Sequence, residues 1–93
     1  MTKHKKEIEA HLEKKAQDEV IPKKSVDSSN IEAIGPYDPE ENTLVIEFVG
    51  GGEYKYSNVP KSVYDELIDA SSHGSTFWRL IRDNEDKYPY KKL

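Results

Sequence analysis

Residues 43–57 read TLVIEFVGGGEYKYS and carry the strongest secondary-structure signal in the chain. Branched and aromatic side chains alternate through Thr43 to Val49, three glycines follow, and tyrosines alternate with charged residues through Glu53 to Ser57. This pattern is typical of two antiparallel strands joined by a tight hairpin. The pair of strands therefore forms the predicted centre of the fold.

The glycine run sets the register of this hairpin. A three-residue loop, Gly50 to Gly52, places Phe48 opposite Tyr54 on one face and Glu47 opposite Lys55 on the other. A two-residue loop would instead set apolar side chains against charged ones. Because a one-residue slip turns every side chain to the other face of the sheet, we predict the three-residue loop.

The sequence on either side of the hairpin predicts one more strand and two helices. The strand is expected at Ile31 to Ile34, before the breaker Gly35-Pro36. The first helix should begin at Pro60, and the second should follow a break at Gly74, with Ser75 as its cap. The predicted class is α+β: a three-stranded antiparallel β-meander followed by two helices packed on one face.

The N-terminal segment predicts an additional amphipathic helix over residues 3–20. Its apolar residues recur every four positions, at Ile8, Leu12, Ala16 and Val20. Such a narrow stripe is marginally stable alone, so we expect the helix to dock on its own domain or on a second copy. Pro22 to Ser29 is interpreted as a linker. Residues 1–24 thus form a charged helix and linker, and residues 25–93 form the α+β domain.

Composition narrows the possible classes of protein. The chain has 93 residues and no cysteine, which excludes disulfides, thiolate zinc sites and a cysteine nucleophile. It has no apolar run of the ~20 residues that span a membrane, and no secretory signal. We therefore expect a cytoplasmic protein with no membrane association, no cofactor and no metal.

The charges are unevenly divided along the chain. Residues 1–24 carry seven lysines and five acids, whereas residues 25–93 carry seven basic and thirteen acidic residues. An acidic domain repels phosphate backbones at long range, which disfavours generic nucleic-acid binding but still permits a locally basic pocket.

Six short motifs occur in an order that resembles the KTSC family, over about residues 26–90. They are Ser28-Ser29-Asn30-Ile31, Tyr37-Asp38-Pro39, Gly52-x-Tyr54-x-Tyr56, Val59-Pro60-x-x-Val63-Tyr64, Ser72-x-Gly74 and Phe77-x-x-x-Ile81-Arg82. The resemblance implies a small bacterial or phage module. The family is named after an extension at the C-terminus of some lysyl-tRNA synthetases, which implies RNA binding. This chain departs from the family pattern at Pro36, which is inserted, and at Trp78, where the family often has Asn.

Aromatic and arginine side chains form the first set of candidate ligand-binding residues. Tyr54 and Tyr56 offer planes on which bases can stack, although cross-strand packing in the core also explains them. Trp78 and Arg82 are four residues apart on the second helix, which allows a cation–π contact, and Arg79 lies between them. An arginine can bind a phosphate while a neighbouring indole stacks on a base. The alternative is that the arginines form salt bridges with acidic residues at the surface.

Small polar residues form the second set of candidate ligand-binding residues. Ser28 and Ser29 precede the first predicted strand and can donate hydrogen bonds, or serve local turns. Ser72, Gly74 and Ser75 surround the start of the second helix, where free backbone N–H groups attract anions or are simply capped.

No arrangement in the sequence indicates catalysis. Gly50 to Gly52 lacks the Lys-Ser/Thr and helix of a phosphate-binding loop. His4, Glu7 and His11 share a helical face, but nothing nearby completes a metal site. His73 has no carboxylate at a telling spacing, so no catalytic triad can be argued.

The sequence therefore predicts a non-catalytic binding module for a nucleotide or an RNA element. A compact domain with an oligomerising helix also fits a phage-type protein that sequesters a nucleotide signal. The alternative is a protein–protein interaction module that acts through the N-terminal helix and the acidic domain surface. In either case we expect a homo-oligomer formed through that helix.

Overall fold

A computed structural model describes residues 19–93. Most of the predicted N-terminal helix, with Ile8, Leu12 and Ala16, lies outside the described residues. Val20 is described, lies outside any helix and has 53% of its surface exposed.

A five-stranded antiparallel sheet forms the centre of the domain, with its strands in chain order. The strands are β1 (Lys24–Ser25), β2 (Ile31–Asp38), β3 (Thr43–Phe48), β4 (Gly52–Tyr56) and β5 (Tyr90–Lys92). The predicted α+β class is confirmed, but the prediction of three strands is wrong. The two additional strands, β1 and β5, are too short to show a periodic pattern, so only their long-range pairing defines them.

Two helices, α1 (Lys61–Ile68) and α2 (His73–Leu80), pack on one face of the sheet, and a 3₁₀ turn at Arg82–Asn84 follows. The residue that precedes α2 is Ser72, which has an extended backbone. The predicted cap at Ser75 is therefore wrong, because Gly74 lies inside the first helical turn rather than at a break. Neither helix is long and apolar enough to cross a membrane, within the described part of the chain.

The β3–β4 hairpin has a three-residue loop, but the loop is Val49 to Gly51 instead of the predicted Gly50 to Gly52. The Gly51 N–H donates to the Phe48 carbonyl at 3.1 Å, and Gly50 has a φ of 70°. Only glycine adopts that backbone conformation without strain, so the turn closes one residue earlier and Gly52 enters the strand. Register therefore shifts by two residues, and Ile46 rather than Phe48 faces Tyr54.

A two-residue shift keeps every side chain on its predicted face. Tyr54 and Tyr56 still share the helix-covered face with Ile46, but the predicted pair of Glu47 with Lys55 is wrong. Glu47 faces Glu53 instead. This shift puts two like charges opposite each other on the face of the sheet away from the helices, which we call the outer face.

The segment interpreted as a linker instead packs along the edge of the sheet. Ile21 forms a two-way backbone pair with Tyr37, and β1 continues the pairing with β2. Residues 22–23 of this segment lie directly against Gly35 of β2, where an added Cβ atom would be 3.0 Å from the Lys23 Cα. Gly35 has a φ of 110°, so both its backbone and the space around it require glycine.

The hydrophobic core lies between the sheet and the two helices. Its buried members are Ile31, Ile34, Tyr37, Leu44, Ile46, Tyr56, Val59, Tyr64, Leu67, Phe77, Ile81 and Tyr88. Each fully buried aliphatic or aromatic side chain contributes about 1.5–3 kcal/mol to folding.

One end of this core, which we call the closed end, is sealed by Tyr37. Its ring stacks on Tyr64 with centroids 4.9 Å apart. Its hydroxyl donates to the Val59 carbonyl at 2.7 Å and lies 3.3 Å from the Asn42 Oδ1. Burial, with smaller contributions from nearby carboxylates, raises the pKa of the Tyr37 hydroxyl, so this group stays neutral at physiological pH.

Candidate functional site

The opposite end of the helix-covered face opens into a cleft of about 360 Å³. We call it the aromatic cleft because five rings of the sheet and α2 enclose most of it, with a sixth ring and an arginine at its rim. Its lining residues are Phe48, Gly51, Tyr54, Tyr56, Phe77, Trp78, Arg82 and Tyr90.

The alternation of β4 brings the tyrosines of the cleft together. Tyr54 and Tyr56 point to the same face, and β5 places Tyr90 directly opposite Tyr56. The Tyr90 centroid lies 5.7 Å from that of Tyr54 and 5.5 Å from that of Tyr56. Phe77 of α2 contacts Tyr56 edge-on at 5.5 Å. These edge and tilted contacts are favourable aromatic geometries, and they fix the ring positions without a ligand.

Trp78 and Arg82 form the helical side of the cleft. The Trp78 side chain is 55% exposed, which is unusual for an indole and leaves it accessible for stacking. The Arg82 guanidinium carbon lies 5.3 Å from the ring centroid, so the cation–π contact that the four-residue spacing allows is present. Arg82 also forms a long ion pair with Glu85, 3.9 Å between nitrogen and oxygen.

Tyr56 also lines the cleft. The residue is only 2% exposed, and its hydroxyl makes no hydrogen bond to another residue within 19–93. Burial raises the pKa of this hydroxyl to about 12, although the positive charge of Arg82 acts in the opposite direction. At neutral pH the group is therefore protonated and can donate a hydrogen bond.

Arg79 lies outside the aromatic cleft. Its guanidinium pairs with the Glu66 carboxylate at 3.3 Å, and both side chains are well exposed. The surrounding groove between α1 and α2 also contains Asp65 and Asp69. Acidic surroundings disfavour an anion there, so the structure separates the two arginines that the sequence placed together.

A second, polar pocket of about 270 Å³ contains the four serines and the glycine of the second predicted set. We call it the serine pocket, and its lining residues are Asp27, Ser28, Ser29, Asn30, Ser71, Ser72, His73, Gly74 and Ser75. The structure thus brings Ser28 and Ser29 next to the start of α2, but not next to the tyrosines.

Local hydrogen bonding explains part of the serine pocket. The Ser28 hydroxyl accepts from the backbone N–H groups of Asn30 and Ile31, both at 3.2 Å. Gly74 packs so closely that a side chain there would lie 3.2 Å from the Asn30 Nδ2. The His73 Nδ1 is buried without a hydrogen-bond partner among the described residues, while its Nε2 lies 3.3 Å from the Ile68 carbonyl oxygen.

Four residues of the aromatic cleft were not predicted as site residues: Phe48, Gly51, Phe77 and Tyr90. Phe48 and Phe77 have the pattern of core residues: Phe77 is a buried member of the core, and Phe48 is half-buried and packs against it. Tyr90 stands in an aromatic and basic C-terminal stretch, which is a usable signal, but its partner Tyr56 is known only once β5 is seen to pair with β4.

The cleft can stack a planar group, donate a hydrogen bond and neutralise negative charge. Within residues 19–93, no cluster of three or more His, Asp or Glu side chains is arranged to hold a metal ion. The weak metal candidate formed by His4, Glu7 and His11 lies outside the described residues.

A small antiparallel sheet with two helices on one face and a tyrosine-lined cleft defines a compact α+β module. The family model of the KTSC domain matches residues 27–88, which is two thirds of the chain. This chain belongs to the KTSC domain family, as its six motifs indicated.

Several known proteins are similar to this chain. A crystal structure of a KTSC domain protein from Yersinia pestis superposes with a TM-score of 0.70 at 32% identity, covering 76% of this chain and 94% of that one. An uncharacterized protein of Stutzerimonas stutzeri is 34% identical over 69% of this chain and 89% of its own length. A lysine–tRNA ligase of Nostoc sp. is 37% identical over 61% of this chain, which corresponds to 10% of the ligase.

Proposed function

We propose that this protein is a non-catalytic module that binds an unpaired nucleobase together with its phosphate. A free nucleotide or a single-stranded RNA element presents the same chemical groups. In this proposal the base enters the aromatic cleft, stacks on Trp78 and reaches the Tyr56 hydroxyl, while Arg82 meets the phosphate.

The observation that carries the proposal is the combination of Trp78, Arg82 and Tyr56 around one cleft. An indole that is 55% exposed, with a guanidinium 5.3 Å from its centroid, offers a stacking plane and a positive charge side by side. Stacking of a base on an aromatic side chain contributes about 1–3 kcal/mol to binding. The Tyr56 hydroxyl, which has no hydrogen-bond partner within residues 19–93, would add a directional hydrogen bond that gives selectivity among bases.

Charge and similarity favour different sources for this ligand. The acidic balance of residues 25–93, seven basic against thirteen acidic residues, favours a small nucleotide that is held by one local cation. The similarity to a segment of lysine–tRNA ligases favours an RNA element, because those enzymes act on tRNA.

Arg79 on α2 and Arg82 in the turn after it provide a matched pair of variants. Arg82→Ala should weaken binding of the responding nucleotide or oligonucleotide by about 1–3 kcal/mol, because a charge-assisted contact is lost. Arg79→Ala removes the same charge from the acidic groove and should leave affinity unchanged. Titration calorimetry against a panel of nucleotides and short single-stranded RNAs measures both. Equal affinities for wild type and Arg82→Ala would contradict the proposal.

Salt dependence separates the two sources of the base. An RNA element that contacts several cations should lose affinity steeply as salt rises, because counterions are released on binding. A nucleotide held by a single arginine and by stacking should lose little. If no member of either panel binds, the proposal fails and a protein partner becomes the leading candidate.

A further inference from the structure

The outer face of the sheet carries two pairs of like charges in directly opposite positions. Glu47 of β3 faces Glu53 of β4, and Lys55 of β4 faces Lys91 of β5. Like charges directly opposite each other destabilise a sheet. The two pairs lie on neighbouring strands, but only one of them is neutralised within residues 19–93.

Lys23 neutralises the acidic pair. Its ammonium group lies 2.7 Å from the Glu53 carboxylate and 3.0 Å from the Glu47 carboxylate. The hydrogen bond to Glu53, then that to Glu47, raises the pKa of Lys23. One cation placed between two opposed carboxylates therefore compensates for their mutual repulsion.

The lysine pair has no equivalent counterion in the described part of the chain. Lys55 and Lys91 make no ion pair there, and both line an outer-face groove of about 380 Å³. Thr43 and Ser57 contribute hydroxyl groups to the same groove. Glu41 also lines it, but its carboxylate makes no ion pair with either lysine.

We propose that the groove between Lys55 and Lys91 binds an anion of the phosphate class. Two ammonium groups would neutralise its charge, and the hydroxyls of Thr43 and Ser57 would donate hydrogen bonds to its remaining oxygens. The two lysines point away from Tyr54 and Tyr56, because successive residues of β4 and β5 point to opposite faces, although Tyr90 lines both the groove and the aromatic cleft. None of the groups proposed to hold the anion lines the aromatic cleft, so the site does not depend on the function proposed above.

Thermal unfolding in inorganic phosphate tests this site on the whole chain. A ligand that binds only the folded state raises Tm, and the rise grows with concentration. Phosphate should raise the Tm of wild type more than chloride does at equal ionic strength. The double variant Lys55→Gln/Lys91→Gln should lose this difference. Lys61→Gln should retain it, because Lys61 lies on α1 and already pairs with Asp65 at 3.0 Å.

A third variant, Glu41→Gln, should increase the stabilisation by phosphate instead of abolishing it. Glu41→Gln removes a negative charge from the groove without altering its shape, so phosphate should raise the Tm of this variant more than it does for wild type. A single-stranded oligonucleotide used in place of phosphate shows whether the anion is accepted as part of a longer chain. The proposal is overturned if neither probe stabilises wild type beyond chloride, or if the double lysine variant responds as wild type does.

Discussion

Tyr37 and Tyr56 lie on the same helix-covered face of one sheet, and each is almost completely buried. At the closed end, the Tyr37 hydroxyl donates to the Val59 carbonyl at 2.7 Å, and its ring is stacked on Tyr64. At the aromatic cleft, the Tyr56 hydroxyl has no hydrogen-bond partner in the described residues and opens on a space rimmed by the exposed Trp78.

Under the proposed function, this difference distinguishes a tyrosine that stabilises the fold from one that is available to a ligand, in a domain that has six tyrosines. A buried hydroxyl with good partners stabilises the fold, and removing it leaves an acceptor unpaired. A hydroxyl that opens on a cleft contributes little to folding and remains available for a ligand. Ring burial alone therefore does not reveal the role of a tyrosine in this fold; the partner of its hydroxyl does.

The largest expected contrast between the two ends comes from deleting a ring. Tyr37→Ala should lower the free energy of unfolding by about 3–5 kcal/mol, because it empties a fully buried position. Trp78→Ala should cost less than about 1 kcal/mol, since its ring is largely exposed. Urea denaturation measures both. A comparable loss for Trp78→Ala would mean that Trp78 packs as a core residue. The aromatic cleft would then not differ from the closed end in this respect.

Alkaline pH should act on Tyr56 in a predictable direction. Its hydroxyl ionises at 10.0 in an ordinary environment but has a folded-state pKa of about 12. Between these values the unfolded chain releases a proton that the folded chain retains. Stability is therefore fully present below pH 10 and falls as pH rises toward 12, by up to about 2 kcal/mol from this group.

Tyr56→Phe supplies the control for this titration. The variant should lose less stability than wild type between pH 10 and pH 11.5, as measured by urea denaturation at each pH. Parallel curves for the two proteins would mean that the Tyr56 hydroxyl is not held neutral by burial.

The smallest contrast concerns the hydroxyl groups alone at neutral pH. Tyr37→Phe should destabilise the domain by about 1–2 kcal/mol, because the buried Val59 carbonyl loses its donor. Tyr56→Phe should change stability by less than about 0.5 kcal/mol, because its hydroxyl has no hydrogen-bond partner among residues 19–93. Equal losses for the two variants would show that Tyr56 has a structural partner as well.

The central hairpin was predictable because its signals are local. Alternation along β3 and β4 identified both strands, and the rule that a two-residue shift preserves faces kept Tyr54 and Tyr56 on one side. The exact pairing was not predictable. The choice of Val49 to Gly51 as the loop depends on which glycine adopts a positive φ, and any of three neighbouring glycines can do so.

The site was predictable in its residue types but not in its grouping. The four-residue spacing predicted the contact between Trp78 and Arg82, although α2 ends at Leu80 and Arg82 begins the 3₁₀ turn that follows. The same reasoning placed Arg79 with them, whereas Arg79 pairs with Glu66 of α1. Tyr90 was missed because β5 has three residues and no pattern of its own. Tyr90 lies in the cleft because β5 pairs with β4, and a single sequence does not reveal that long-range pairing.

The aromatic cleft as a ligand site is tested most directly by NMR. Trp78 is the only tryptophan, so its indole N–H gives one unambiguous signal. Addition of the nucleotide and single-stranded RNA panels to uniformly labelled protein should shift this indole signal and the amide signals of Tyr54, Tyr56 and Arg82, with Tyr37 and Tyr64 unchanged. Shifts confined to the closed end or the serine pocket, or no shift with any member of the panels, would contradict a base-binding cleft.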